Sequence, residues 1–471
     1  MPSSLSAQTL AEAVKLGLES SPTLQADRMR LNATRELQVQ ANNLRRPSIQ
    51  IDGSTNLRQN ASLSRGAYNF GRTEPASLSI QAVQPLMLGG RYQAAVREAD
   101  LRVAQSIERI RARELTVVRQ IIEAYATVRR DYLVAEIRDQ TLISLSRQLI
   151  GAQLKRQEGL VGLTEVSQVE TRLAFAQAQV AAARARLQQS WATIERLLGS
   201  RPTGLTEDEL ISVGIPETLT EAIETALRNN HELKTARFNE DIARAVARRV
   251  QVENAPRINL QASLEGNTDS SFNGSRSYDA LIGARVVIPL WNGGQPQSRT
   301  RAALAEANAS RIEANGAERT LTEQVIQVWA ARQSARDSMR IAKELVRAAQ
   351  AAQTGTQLEF DVGLRSIIEV LNQEQELQDA QVNLVTARSN LMTTEATLAT
   401  LIGVDPTGTI NSGPELEIDP VLPSRLAIVP GRPSNWEKPL IGAFDAFEEI
   451  DRSYVRPVIQ RLKAGLFGPE Q

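Results

Sequence analysis

The stretch Val83-Gln84-Pro85-Leu86-Met87-Leu88-Gly89-Gly90 returns 204 residues later as Val287-Ile288-Pro289-Leu290-Trp291-Asn292-Gly293-Gly294. Each copy reads as the end of a strand, a Pro-marked exit and a Gly-Gly turn that opens a long helix. The match continues downstream at the same offset. Tyr125 meets Trp329, Gly159 meets Gly363, Glu165-Val166 meets Glu369-Val370, and Leu197-Leu198-Gly199 meets Leu401-Ile402-Gly403. Upstream the offset is 209, because the intervening loop of the first copy is five residues longer. There Leu10, Glu12, Ala13, Leu18, Leu24, Arg28, Arg35, Pro47 and Ile49 fall on Leu219, Glu221, Ala222, Leu227, Leu233, Arg237, Arg244, Pro256 and Ile258. The chain is therefore an internal duplication. Residues 1–204 form the first repeat, 205–403 the second, and 404–471 a Pro-rich extension.

The helical part of each repeat carries a seven-residue ladder. Val166, Leu173, Val180, Leu187 and Ile194 form one; Val370, Leu377, Leu384, Leu391 and Leu398 form the other. Three residues after the rungs come mostly small residues, among them Ala176, Ala183 and Ser190, then Ala380, Ala387 and Thr394. An apolar first rung with a small second rung predicts closely approaching antiparallel coiled-coil helices. A second long helix is expected upstream in each repeat, over about 90–150 and 296–354.

Between the helices the period changes to two. Ile49 and Ile51 alternate with Gln50 and Asp52; Ile258, Leu260, Ala262 and Leu264 alternate with Asn259, Gln261, Ser263 and Glu265. Leu78, Ile80 and Ala82, and Ile282, Ala284 and Val286, alternate in the same way. Strands are expected over about 47–57, 75–87, 256–268 and 278–290, as two hairpins with polar loops at 58–74 and 269–276. This pattern fits transmembrane barrel strands, with lipid on one face and water on the other, and equally a half-solvated sheet. Four strands cannot close a barrel, which needs about eight. If they span a bilayer, the barrel is shared between subunits, since open edges in lipid leave backbone groups unpaired.

Composition removes other classes. Aromatics make up only 4% and basic and acidic residues balance at 54 each, so no nucleic-acid footprint is expected. There is no cysteine, so no disulfide, thiolate metal site or acylated cysteine anchor is expected. No run of about 18 apolar residues occurs, and Met1-Pro2-Ser3-Ser4 does not open a leader, so an exported form is expected to be one whose leader has been removed. No phosphate loop or nucleophile elbow is present. No catalytic, cofactor or metal residues are assigned, and the single histidine, His231, has no cluster of ligands around it in the sequence. The Arg-rich stretch Arg97–Arg113 is expected to be a solvated helix surface. Residues 404–471, with Pro406, Pro414, Pro420, Pro423, Pro430, Pro433 and Pro439, cannot be helical throughout.

With these motifs in place, the chain resembles the TolC family of outer-membrane efflux and type I secretion channels over about residues 5–405. The resemblance rests on Leu10-Ala11-Glu12-Ala13-Val14 with Ser21-Pro22-Thr23-Leu24, and their copies Leu219-Thr220-Glu221-Ala222-Ile223 and Asn230-His231-Glu232-Leu233. It rests also on Pro289-Leu290-Trp291-Asn292-Gly293-Gly294, and on Phe360-Asp361-Val362-Gly363 leading into Glu369-Val370-Leu371. It implies a mainly α protein with four transmembrane β-strands. A homotrimer would form a twelve-stranded barrel in outer-membrane lipid, continued by a periplasmic α-helical tunnel. The implied function is a passive exit duct that docks with a periplasmic adaptor protein and an inner-membrane ABC or proton-driven transporter. The absence of an N-terminal cysteine inclines the reading toward protein secretion. The alternatives are a periplasmic adaptor, or a structural coiled-coil protein.

The resemblance also implies a gate. Its acidic ring maps to Glu369 and Asn372, of which only the first is acidic. Mutual repulsion of three Glu369 carboxylates would raise their pKa. Its latch maps to Arg365, Glu165 and Phe360, where Phe360 lacks the hydroxyl of the family pattern. Pro85, Gly89, Gly90, Pro289, Trp291, Gly293 and Gly294 are expected at the barrel–tunnel junction, with Trp291 as a packing residue.

Overall fold

A computed structural model describes residues 9–64, 67–73, 75–159, 161–202, 204–206, 214–269 and 275–410. Most of the expected extension, 411–471, lies outside the described residues, as does Phe272 in the second polar loop.

In chain order the elements are α1 (Leu10–Ser20), α2 (Pro22–Asn43), β1 (Ser48–Thr55), β2 (Arg58–Ser64), β3 (Ala67–Thr73), β4 (Pro75–Met87), α3 (Arg91–Gln157), α4 (Leu163–Leu198), α5 (Leu219–Asn229), α6 (His231–Val252), β5 (Arg257–Asp269), β6 (Ser275–Val287), α7 (Gln295–Asp361) and α8 (Ile367–Leu401). The order α5-α6-β5-β6-α7-α8 repeats α1-α2-β1-β4-α3-α4. Helices α3 and α7 have 67 residues each, about 100 Å at 1.5 Å per residue. They run further than the sequence pattern expected. None of the described helices is long and apolar enough to cross a membrane.

The short helices begin where the sequence supplies caps. Thr9 and Glu12 form a reciprocal capping box at α1. Ser21 accepts from the Leu24 N–H at α2, and Asn230 accepts from the Leu233 N–H at 2.8 Å at α6. The Asn230 amide also donates to the Leu401 carbonyl at 2.8 Å, tying α6 to the end of α8.

In α4 and α8 the heptad rungs Val166, Val180, Ile194, Val370 and Leu398 turn inward as expected, while Leu173, Leu187, Leu377, Leu384 and Leu391 are half-buried. Val166, Val169, Ala176, Val180, Ala183, Ser190 and Ile194 are buried, as are Val370, Ala380, Ala387 and Leu398. The largest core cluster joins Val14, Leu24, Val118, Ile121, Ile122, Tyr125, Ile194 and Leu198. The Tyr125 hydroxyl donates to the Thr206 carbonyl at 2.8 Å, so this buried ring keeps its polar end satisfied. A second cluster, around Ala222, Leu233, Val325, Leu398 and Ile402, does the same for the second repeat.

The main sheet has the order β1-β4-β5-β6, antiparallel throughout. Its register stacks the apolar alternates of all four strands on one face. Ile51 pairs with Ile80, Ile80 with Leu264 and Leu264 with Ala280; Ile49 pairs with Ala82, Ala82 with Ala262 and Ala262 with Ile282. The other face is polar, with Gln50 bonded to Gln81 at 3.0 Å and Ser54 to Ser77 at 2.8 Å. One expectation fails here. Residues 58–74 are not a simple loop: β2 and β3 form a separate two-stranded hairpin, pairing Ala61 with Phe70 and Leu63 with Tyr68. The Asn, Ser, Gly and Arg content that suggested a loop does not prevent pairing, because Ala61 and Leu63 still alternate with polar residues.

Candidate functional site: the helix tips and the strand–helix junctions

Two places stand out as sites: the helix tips far from the sheet, and the junctions where strands become helices. At the tip of the second repeat, α7 ends at Asp361 and α8 starts at Ile367. Gly363, at φ +80°, makes the turn in a left-handed conformation that suits glycine. Ser366 caps α8. The Glu369 carboxylate accepts from the Ser366 backbone N–H at 2.9 Å and from its hydroxyl at 3.1 Å. Arg365 then spans two carboxylates, with 2.7 Å to Glu359 and 2.7 Å to Glu369. These bonds hold the Glu369 carboxyl far below its ordinary 4.5, at about 2. The Ser366 backbone N–H contributes most, followed by Arg365 and the Ser366 hydroxyl. Within one subunit the direction is the reverse of the expected upward shift, because the local donors outnumber the acids.

The other expected gate residues are distributed as follows. Asn372 accepts from Arg172 of α4 at 3.1 Å. Phe360 lies under the Lys155 ammonium, 4.4 Å from the ring centroid, so the ring takes a cation at a place where a hydroxyl was expected to act. Glu165 accepts from the Gly162 N–H at 3.0 Å and so caps α4. Arg365 and Glu165 each engage partners in their own turn, and the structure does not bring them together. Sequence reasoning passed over Glu359, Ser366, Arg172 and Lys155. Ser366-x-x-Glu369 is a capping-box spacing and was legible; the Lys155–Phe360 contact joins two repeats and was not.

Alongside the tips, α3 and α8 meet through polar side chains. Gln148 donates to Glu374 at 2.6 Å, Arg138 lies 3.8 Å from Asp379, and the Gln378 amide meets the Thr141 hydroxyl. Further toward the sheet, the arginines of the Arg-rich stretch are exposed as expected, while two of the acids between them turn inward. Glu98 meets Arg249 and Glu108 meets His231, each at 2.7 Å, and both acids are largely buried between α3 and α6. The His231 bond holds Glu108 below the usual carboxylate range.

At the junctions Gly89 and Gly90 enter α3 at φ +57° and +88°, and Gly293 and Gly294 enter α7 at +60° and +74°. A Cβ on Gly89 would stand 2.5 Å from Ala255 Cβ and 2.6 Å from the Pro256 carbonyl oxygen; at Gly293 nothing lies within 4 Å. Arg91 donates to the Glu253 and Ala255 carbonyls, each at 3.1 Å, which ends α6 against α3. Pro85 marks an irregularity in the β4–β5 register. Trp291, expected to pack, is 85% exposed in the single chain.

Long paired helices, a duplicated strand–Gly-Gly–helix joint and a sheet with one apolar face define an outer-membrane channel subunit. Residues 13–200 and 222–404 each match the family model for outer membrane efflux proteins, and the chain belongs to that family. It is 26% identical to the outer membrane efflux protein BepC of Brucella suis biovar 1, over 72% of this chain and 76% of that one. It is 26% identical to the alkaline protease secretion protein AprF of Pseudomonas aeruginosa, over 70% of this chain and 69% of that one. The crystal structure of the outer membrane protein VceC of Vibrio cholerae superposes with a TM-score of 0.68 at 19% identity, covering 84% of this chain and 96% of that one. The chain is accordingly an outer-membrane protein that serves as an exit duct of efflux or secretion systems.

Proposed function

We propose that three copies of this chain close one twelve-stranded barrel and one α-helical tunnel. The assembly is a passive duct, loaded by an inner-membrane transporter through a periplasmic adaptor, and carries out no chemistry of its own. One observation carries the reading: four antiparallel strands whose register stacks a continuous apolar face, with β1 and β6 left as edges. Such a sheet is suited to lipid, and lipid does not tolerate open edges. Copies of the same sheet supply the missing neighbours and the minimum of about eight strands.

The tips form the narrow end of the duct. Glu369 contributes the acid of the constriction and Asn372 a neutral amide. Arg365 acts as a clasp within its own turn, joining Glu359 and Glu369, and this arrangement replaces the Arg365–Glu165 latch implied by the resemblance. Phe360 is held by Lys155 across the repeats. Protein cargo is favoured by the likeness to a protease secretion protein, and the efflux relatives fit the same duct with smaller cargo.

Purified full-length protein in a planar lipid bilayer tests the reading. Stepwise, ohmic conductance is expected. Folded, bilayer-inserted protein that gives no conductance would refute the duct.

A further inference from the structure

We infer that the end of the sheet's apolar face farthest from the helices is a docking surface for a phosphate-bearing lipid of the outer leaflet, held by Arg276, with Arg72 standing beyond it. The inference rests on the barrel reading above and adds to it a lipid chemistry at named residues.

The register shows where the apolar face ends. Along β5 and β6 its rungs are Ile258–Val286, Leu260–Ala284, Ala262–Ile282, Leu264–Ala280 and Gly266–Tyr278, and the next is Thr268–Arg276. The same change runs across all four strands. Gly53, Leu78, Gly266 and Tyr278 share one row; Thr55, Ala76, Thr268 and Arg276 share the next. From Val286 to Tyr278 the chain covers about 27 Å, at ~3.4 Å per strand residue. At a tilt of about 40° that is about 21 Å of depth, close to the apolar band of about 25 Å on outer-membrane barrels. An aromatic ring at the edge of such a band marks the boundary between hydrocarbon and headgroups. Tyr278 stands at that edge, and Arg276 lies one rung beyond it.

Arg276 is the only charged residue that the register places on the apolar face of this sheet. The other strand charges, Asp52, Arg257, Glu265, Asp269, Asp279 and Arg285, belong by the same alternation to the polar face. Arg276 is exposed, and among the described residues no acid forms an ion pair with it. A guanidinium inside the hydrocarbon is costly, but at its edge it is tolerated. There its planar fork matches a phosphate through two parallel hydrogen bonds. The charge lies at one end only: the rungs nearest the helices, Ile258–Val286 and Leu260–Ala284, are wholly apolar. That asymmetry assigns the lipid to the leaflet away from the helices, which in the barrel reading is the outer one.

The first hairpin carries the same face further out. Beyond the pair Thr55–Ala76 the Asn56 N–H donates to the Pro75 carbonyl at 2.9 Å. Counting outward by two residues twice on each strand then arrives at Gln59–Arg72, itself a pair of β2–β3, so the register is unbroken. Strands β5 and β6 end at the pair Asp269–Ser275, level with Pro75, so β2–β3 stands beyond the four-stranded sheet. By this register Arg72 falls on the same face as Arg276, and Arg58 on the opposite one. Residues 56–73 contain Arg58, Arg65 and Arg72 and no acid; the first acid is Glu74. A basic extension above the headgroup level complements a layer of anionic phosphates.

Native mass spectrometry of the full-length protein in detergent tests the surface, with bisphosphorylated lipid A as the probe and its fully dephosphorylated form as the control. The unsubstituted protein should retain the phosphorylated form about tenfold more tightly. Arg276→Gln with Arg72→Gln should bring the two lipids to within about twofold, and Arg276→Gln alone should lose part of the preference. Arg285→Gln, which removes an arginine from the polar face, should keep the full preference. Equal retention of both lipids by the unsubstituted protein, a preference that survives in the double variant, or its loss in Arg285→Gln would overturn the inference. So would displacement of lipid A by phosphatidylglycerol at equal concentration, because the surface would then not select the outer-leaflet lipid. Bilayer conductance of the same preparations keeps the two readings apart. Conductance without a phosphate preference overturns only this surface; folded, inserted protein without conductance overturns the duct.

Discussion

The inner strand and the strand–helix junction of the first repeat find their partners within the chain; their equivalents in the second repeat, built on the same pattern, do not. Gly89 is packed and Gly293 is open, β4 has two neighbours and β6 has one, and Met87 sits in a ladder where Trp291 sits in solvent. A duplicated protein whose copies differ in this way has unfinished surfaces that are copies of finished ones. The tips differ in another sense. Glu165 and Glu369 are equivalent and both cap a helix, but only Glu369 also has an arginine, because position 365 is Arg where the first copy has Val161. The shared acid is explained by helix capping. What is particular to the second copy is Arg365.

A third difference lies in the core and carries the largest expected effect. Val128 and Trp191 of the first repeat correspond to Arg332 and Glu395 of the second. There Arg332 and Arg336 both reach Glu395, at 3.3 and 3.0 Å, and the Arg332 guanidinium lies over Trp329. Burial lowers the Arg332 pKa. Removing one partner of such a pair strands a buried charge, so Glu395→Ala should cost about 3–5 kcal/mol in denaturant unfolding. Installing the residues of the first repeat together, as Arg332→Val with Glu395→Trp, should recover most of that loss. An unchanged unfolding midpoint for Glu395→Ala would contradict the buried pair.

The glycines come next. Gly89→Ala should lose about 1–2 kcal/mol to the left-handed backbone and about 1–3 kcal/mol more to overlap with Ala255 and Pro256. In a monomeric preparation Gly293→Ala should show only the backbone part; in the assembled channel its loss should rise to match Gly89→Ala. Thermal unfolding of both forms measures the difference, and equal losses in the monomer would remove the distinction between the two junctions.

At the tip, Arg365→Ser should raise single-channel conductance, while Glu165→Gln should leave it unchanged and cost only about 0.3–1.5 kcal/mol through the lost cap. The pH sense follows from the depressed carboxyl. A group held low contributes fully above its ordinary 4.5, and its contribution is lost as pH falls toward about 2. Conductance controlled by this clasp should therefore be flat between about pH 5 and 7. Site-specific NMR of Glu369 should show a midpoint near 2, rising in Arg365→Ser but staying under 4.5, since the Ser366 N–H remains. A midpoint above 4.5 in the intact protein would mean that repulsion between subunits outweighs the local donors.

Much of this was legible in the sequence, for identifiable reasons. The duplication, the heptad ladders and the period-two strands are repeating signals, so the long helices and the four strands follow from them, while the register between strands does not, because alternation fixes only which residues share a face. The β2–β3 hairpin was missed because Arg58–Ser64 and Ala67–Thr73 are short and rich in turn-forming residues. Glu369 stands in the first turn of α8, and its bonds to Ser366 and Arg365 are local i, i+3 and i, i+4 contacts that family reasoning overlooked. The Lys155–Phe360 and Glu108–His231 contacts join helices from different repeats, and no periodicity reports such a contact.

The central claim is that the unfinished edges of one chain are completed by further copies of it. Native mass spectrometry of the full chain released from outer membranes in detergent tests this most directly. The account predicts a particle of three chains. A folded, membrane-derived particle of one chain, with β1 and β6 unpaired, would contradict it.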